Sequence, residues 1–135
     1  VANIMKSIYP DFDREKFLQQ CRRFNLPTDK KIKEFSTGMK AKFKVLAALS
    51  HKAELLILDE PITGLDPAAA QDLYKTLSYL NEKEGMAVVM VTHDLKAALR
   101  SARTVLHIGR SSVFLGTVAD YLASPQGRRF REAES

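Results

Sequence analysis

The 135-residue sequence predicts an α/β fold: parallel strands joined by crossover helices, an N-terminal helical subdomain and a C-terminal β-hairpin. Three observations predict it. From Leu55 the apolar pattern runs strand, helix, strand, helix, strand, the order of crossover units in a parallel sheet. Before Leu55, apolar residues recur at three-to-four spacing, which is helical. After Arg103, two short apolar runs flank the turn Gly109-Arg110-Ser111, which reads as a hairpin.

The elements follow in order. Asp13 caps a helix through Arg22, with Phe17, Leu18, Cys21 and Phe24 on one face, and Asn25-Leu26-Pro27 stops it. A second helix opens at Ser36, with Met39, Phe43, Leu46, Ala47 and Ser50 inward and Lys40, Lys42 and Lys44 mostly outward. Leu55 to Asp59 reads as a buried strand ending in acid. Asp66-Pro67, a capping carboxylate before proline at the first helical position, starts a helix that carries Leu73, Leu77 and Leu80 towards a stop at Gly85. Ala87 to Val91 is apolar without alternation, which predicts a strand buried on both faces. Asp94 or Thr92 caps a short helix with Leu95, Ala98, Leu99 and Ala102 inside. Thr104 to Ile108 then pairs with Val113 to Leu115, and the tail from Ser124 is expected to fray. The expected domains are residues 1–52 (helical), 53–123 (α/β) and 124–135 (tail).

Composition excludes several classes. With 45% hydrophobic and 27% charged residues the chain is an ordinary globular one, not a disordered one. No apolar run is long enough to cross a bilayer, and the first residues lack the apolar core of a secretory signal, so a cytoplasmic location is expected. The single cysteine, Cys21, excludes an internal disulfide and a cysteine-built metal site. The net charge of +5 is spread along the chain without an aromatic platform or basic helix, so no nucleic-acid partner is expected.

Chemistry concentrates in three places. Asp59-Glu60 ends the first strand at its carboxyl edge, where open parallel sheets place ligands. Beside a phosphate, Asp59 would hold Mg²⁺ through water and Glu60 would orient or deprotonate the attacking water. Taken alone, the pair also reads as solvated acids at a strand end. His93 ends the next strand, where a histidine can donate to a terminal phosphate or simply lie on the surface. Ser36-Thr37-Gly38 opens a helix, which is either an anion site built of backbone amides or plain capping by Ser36. His51 and His107 read as polar surface, and the three histidines lack metal-ligand spacing.

In order, Phe35-Ser36-Thr37-Gly38-Met39, Leu55 to Pro61, Gly64-Leu65-Asp66-Pro67 and Thr92-His93-Asp94 resemble the signature motif, Walker B strand, D-loop and switch histidine of the ATPase subunits of ABC transporters. The resemblance covers nearly the whole chain and implies part of a P-loop NTPase core. It implies Asp59 as the Walker B aspartate that serves Mg²⁺ and Glu60 as catalytic base. It implies Ser36 and Gly38, with Thr37 between them, on the γ-phosphate of ATP held by a second ATPase subunit. Asp66 would cross the interface of that head-to-tail dimer, and His93 would contact the γ-phosphate within its own subunit. Transmembrane transporter subunits are the further partners implied, which places the complex at the cytoplasmic face of a membrane. The usual signature reads leucine, serine, glycine, glycine, glutamine. Phe35, Thr37 and Met39 depart from it while Ser36 and Gly38 are kept, and Ile62 stands where the family commonly has threonine or serine.

A phosphate-binding loop of the form G-x-x-x-x-G-K-S/T is not found within these 135 residues, since none of the six glycines is followed by lysine. The family carries that loop upstream of its signature motif. The sequence is therefore expected to be a C-terminal portion, either a fragment of a longer ATPase or a remnant. Alone it is expected neither to hydrolyse ATP nor to bind it tightly. It is also expected to self-associate through Ala87 to Val91, whose neighbouring strand in the family bears the phosphate loop. The alternatives are a non-catalytic interaction module and a non-transport ABC-type ATPase.

Overall fold

A computed structural model describes residues 2–133. The chain forms two compact units, one ending at Thr92 and the other beginning at His93. The first holds α1 (Ala2–Ile8), α2 (Arg14–Arg23), a 3₁₀ turn (Ile32–Glu34), α3 (Thr37–Ser50), β1 (Leu55–Asp59), α4 (Pro67–Lys83) and β2 (Ala87–Val91). Capping chemistry sets the helix starts: Asp13, Ser36 and Asp66 each accept a backbone N–H three residues on, at 2.9, 3.2 and 2.9 Å. At the far end of α4, Gly85 takes a left-handed φ of +68° and turns the chain into β2.

Helix α3 holds the unit together because both of its sides are buried. Leu46 and Ala47 join Phe12, Phe17, Cys21, Leu26 and Phe35 in a core beneath α2. Val45 and Leu49 join Leu73, Leu77, Leu80 and Met86 in a second core beneath α4. Each buried leucine contributes about 2 kcal/mol of transfer free energy, so a helix serving two cores anchors both. Lys42, expected to face outward, is instead buried. Its Nζ donates to the carbonyl of Phe24 at 2.8 Å and pairs with Asp72 of α4. Its long stem crosses the helix surface and its ammonium donates to a backbone carbonyl at the end of α2.

Strands β1 and β2 are parallel, in register from Leu55 opposite Ala87 to Asp59 opposite Val91. Leu56, Leu58 and Val88 pack on the core that α3 and α4 form. The other face is open: Leu55, Ile57, Val89 and Val91 are all exposed. This corrects the expectations that Ala87 to Val91 is buried on both faces and that Leu55 to Asp59 is a buried strand. Continuous apolar runs do mark strands made for two-sided burial, but α3 and α4 supply only one covering layer.

In the second unit α5 (Leu95–Ser101) precedes β3 (Thr104–Ile108), β4 (Val113–Thr117), α6 (Val118–Ala123) and α7 (Pro125–Ala133). Asp94 caps α5, whose inward residues Leu95, Ala98, Leu99 and Ala102 are only half-buried. The hairpin is antiparallel, with Leu106 opposite Leu115, and is closed by Gly109 N–H donating to Ser112 at 2.8 Å. Tyr121 is fully buried on Phe114, and its hydroxyl meets His107 Nδ1 at 3.1 Å, so His107 is packed rather than surface. The tail does not fray over 125–133. Ser124 Oγ accepts Gly127 N–H, Pro125 opens α7, and Arg128 and Arg131 donate to the carbonyls of Ala123 and Leu122 at the end of α6. Gly127 permits this turn, because a Cβ there would collide with the carbonyl of Tyr121.

Two outcomes are expected. Burial pushes the Cys21 thiol from 9.0 up to about 11. The neutral thiol is favoured in the fold, so its stabilisation is complete below pH 9 and lost as pH rises towards 11. Denaturant midpoints should fall across that window, and Cys21→Ala should remove this component; an unchanged pH dependence in Cys21→Ala would contradict it. Lys42→Ala, which leaves the Phe24 carbonyl without its donor and removes the buried stem, should cost about 2 kcal/mol in urea unfolding, and Lys42→Met, which keeps the stem, should cost less.

Candidate functional site

Asp59 is the last residue of β1 and is exposed at the carboxyl edge of the parallel pair. One residue on, the Glu60 N–H donates to the Val91 carbonyl at 2.8 Å, which extends the ladder past the strand. Glu60 has a φ of +45°, in the left-handed region that a non-glycine residue enters at a cost of about 1 kcal/mol or more. That turn carries the Glu60 carboxylate to the end of β2, where its Oε2 accepts from Thr92 Oγ1 at 3.2 Å. Glu60 is therefore fixed at backbone and side chain by residues ending the neighbouring strand. Thr92 is the partner that sequence reasoning missed in this role; its position beside His93 gave no signal of a contact with Glu60.

The chain then makes two tight turns, with Thr63 N–H donating to Glu60 at 3.2 Å and Leu65 N–H to Ile62 at 3.1 Å. Gly64, at a φ of +78°, supplies the left-handed position between them. They deliver Asp66 to the start of α4 as its cap. There α4 meets the start of α3: a Cβ added to Gly38 would lie 3.0 Å from the Ala69 Cβ. The glycine lets the amino ends of two helices approach, and both carry partial positive charge. Gly38 thus lies against the first turn of the helix that Asp66 caps, and Ser36 and Thr37 just before it are exposed. Met39, where the usual signature has glutamine, is partly buried against the α2 core.

His93, exposed, opens the second unit just before the cap Asp94, whose Oδ1 accepts Ala97 N–H at 3.0 Å. Leu95 N–H donates to the His93 carbonyl at 3.1 Å. Among the described residues no group of three or more His, Cys, Asp or Glu side chains is placed to hold a metal ion by itself. A lone exposed carboxylate such as Asp59 fits Mg²⁺, which takes one or two carboxylates and completes its shell with water and phosphate oxygens.

Comparison with known proteins converges on these same elements. Residues 12–99 match the family described as "AAA domain, putative AbiEii toxin, Type IV TA system". The chain is 37% identical over 101 residues to the molybdenum import ATP-binding protein ModC of Mycobacterium tuberculosis. The chain belongs to the ABC ATPase family. That alignment covers 74% of the chain and 27% of the relative. The zinc uptake system ATP-binding protein ZurA of Listeria monocytogenes is 37% identical over 90 residues, 67% of this ABC ATPase chain and 35% of its own length. The chain thus spans about a third or less of the length of these curated relatives.

Solved structures carry the fold. A structure described as "an inward-facing conformation of a putative metal-chelate type ABC transporter" superposes with a TM-score of 0.79 at 20% identity, covering 93% of this chain and 53% of that one. A dimeric bacterial ABC transporter cassette superposes at 0.62 with 24% identity, covering 78% and 47%. The α/β architecture with parallel strands is therefore that of the P-loop NTPase core of ABC cassettes.

The Gly38–Ala69 contact makes a direct prediction. Gly38→Ala should destabilise the chain by about 1 kcal/mol or more through overpacking. Adding Ala69→Gly, itself unfavourable in a helix, should recover part of that loss as a favourable coupling of about 1 kcal/mol in a double-mutant cycle. Strict additivity would show that the two helix ends do not touch.

Proposed function

We propose that the chain supplies the water-activating and partner-facing half of an ABC transporter ATP-binding subunit, which couples ATP hydrolysis to membrane transport. The observation that carries this reading is the fixing of Glu60 at the carboxyl edge of the parallel pair, one residue after an exposed Asp59 and bonded to Val91 and Thr92. In this reading Asp59 holds Mg²⁺ through water, and Glu60 accepts the proton of the attacking water. The ion, when bound with ATP, screens phosphate charge. His93 donates to the γ-phosphate within its own subunit. Ser36, Thr37 and Gly38 offer a hydroxyl and helix-end amides to ATP held by a second ATPase subunit, and Asp66 lies at that dimer interface.

Function divides along the chain as 1–52 for the partner's nucleotide, 53–123 for the ATPase core and 124–135 for a tail. Transmembrane subunits are the proposed partners for coupling, which puts the complex at the cytoplasmic face of a membrane; no helix among the described residues is long and apolar enough to cross one. No nucleic acid is involved. The ABC transporter relatives and the dimeric cassette support these roles by similarity. The chain alone neither hydrolyses nor tightly binds ATP, because no phosphate loop is found within its 135 residues. It self-associates through the exposed strand Ala87–Val91, which pairs only with β1 among the described residues.

One observation favours a second reading, a non-transport ABC-type ATPase: the matching family is described by a toxin rather than a transporter. Co-purification with an integral membrane protein would favour transport, and loss of growth on expression would favour the toxin-like reading.

Two measurements test the proposal. Calorimetry with Mg-ATP should give no saturable binding to the chain, and micromolar binding would contradict its stated inactivity. A chimera joining the amino-terminal part of ModC to this chain should hydrolyse ATP, and Glu60→Gln should lower kcat about 100-fold or more with ATP binding retained. Unchanged turnover in that variant would remove Glu60 from the mechanism.

A further inference from the structure

Thr92 ends the first unit and directly follows the last residue of β2. Its Oγ1 donates to Glu60 Oε2 at 3.2 Å, while the Glu60 N–H donates to the carbonyl of Val91 at 2.8 Å. Consecutive residues of one strand end therefore hold the side chain and the backbone of the same glutamate. Glu60 and Thr92 are both half-buried, so the bond between them is partly sheltered from competing water.

The residue types explain why such a bond has consequences. Glu60 leaves β1 at a φ of +45°, and this turn sets only where its side chain starts. Beyond the Cα a glutamate has several rotatable bonds, and its carboxylate samples several staggered positions unless something selects one. A donor on one carboxylate oxygen makes that selection. Threonine suits the task, because its branched Cβ restricts χ1 and holds the hydroxyl in place. Serine offers the same donor on a freer side chain, and valine keeps the shape without the donor.

We propose that Thr92 is a positioning residue, whose hydroxyl aims the Glu60 carboxylate at the water that attacks phosphate. The inference rests on the reading of Glu60 as the water-activating group and adds the group that sets its direction. Thr92 acts through Glu60 and touches neither nucleotide nor water. A base must lie within hydrogen-bond reach of the proton it takes, and a misplacement of about 1 Å can cost on the order of 100-fold in rate. Loss of the aiming bond, with the ladder bond to Val91 kept, costs less than loss of the carboxylate.

Two experiments test the assignment. In the chain itself, a double-mutant cycle of Thr92→Val and Glu60→Ala by urea unfolding should show a favourable coupling of about fivefold in the folding equilibrium constant. Strict additivity would overturn the contact, with no nucleotide involved. In the ModC chimera, Thr92→Val should lower kcat about tenfold and leave KM for ATP within about twofold. Thr92→Ser should recover most of that rate, although serine departs further from the shape of threonine than valine does. In a Glu60→Gln background, Thr92→Val should have little further effect. Circular dichroism checks each fold, and Thr92→Ala, which also lacks the donor, carries the test if Thr92→Val does not fold. Equal losses in Thr92→Val and Thr92→Ser would make Thr92 a packing residue and overturn the proposal. Turnover sensitive to Glu60→Gln but indifferent to Thr92→Val would overturn it alone and leave the ATPase reading standing. Turnover indifferent to Glu60→Gln would remove both.

Discussion

The two-sided burial of α3 is the constraint on which the first unit depends. Its residues at 45 and 49 belong to one core and those at 46 and 47 to another, so α2, α4 and the β1–β2 pair are all positioned against a single helix. The same helix begins at Ser36, and Gly38 lets its first turn lie on the first turn of α4. Packing at the middle of α3 thereby fixes what its amino end can present. In the proposed reading, two helix amino ends set side by side gather partial positive charge on one surface, which suits a phosphate on another molecule.

Strand chemistry provides the complementary part. Asp59 needs only the strand to carry it to the sheet edge, whereas Glu60 needs a left-handed turn and two bonds to the end of β2. Strain of this kind persists where neighbouring contacts over-determine it. Here the parallel ladder and Thr92 supply those contacts, so the orientation of Glu60 depends on β1–β2 pairing as much as on its own sequence position.

Much of this was legible in the sequence because capping and periodicity are local. Asp13, Ser36 and Asp66 cap helices where the residue pattern places them, Asp94 rather than its alternative Thr92 caps α5, and the hairpin turn falls at Gly109. What was not legible depends on who covers what. Apolar runs at 55–59 and 87–91 mark strands suited to burial on both faces, but a linear pattern cannot supply the second layer. Lys42 lies between two outward lysines, and only the approach of α2 and α4 turns it inward. The Glu60–Thr92 bond joins residues 32 apart and had no local signature. The start of α7 lies in Ser124-Pro125, a capping hydroxyl before proline, which the expectation of a fraying tail did not take into account.

The central claim is that Glu60 acts on ATP in its own subunit while Ser36 acts on ATP in the other. Mixing two inactive forms of the ModC chimera, one Glu60→Gln and the other Ser36→Arg, tests it most directly. In a head-to-tail dimer the mixed pair keeps one site with both an intact Glu60 and an intact Ser36, so hydrolysis should reappear on mixing. If the mixture stays as inactive as its components while mixed dimers demonstrably form, the two residues serve the same subunit's nucleotide and the account is wrong.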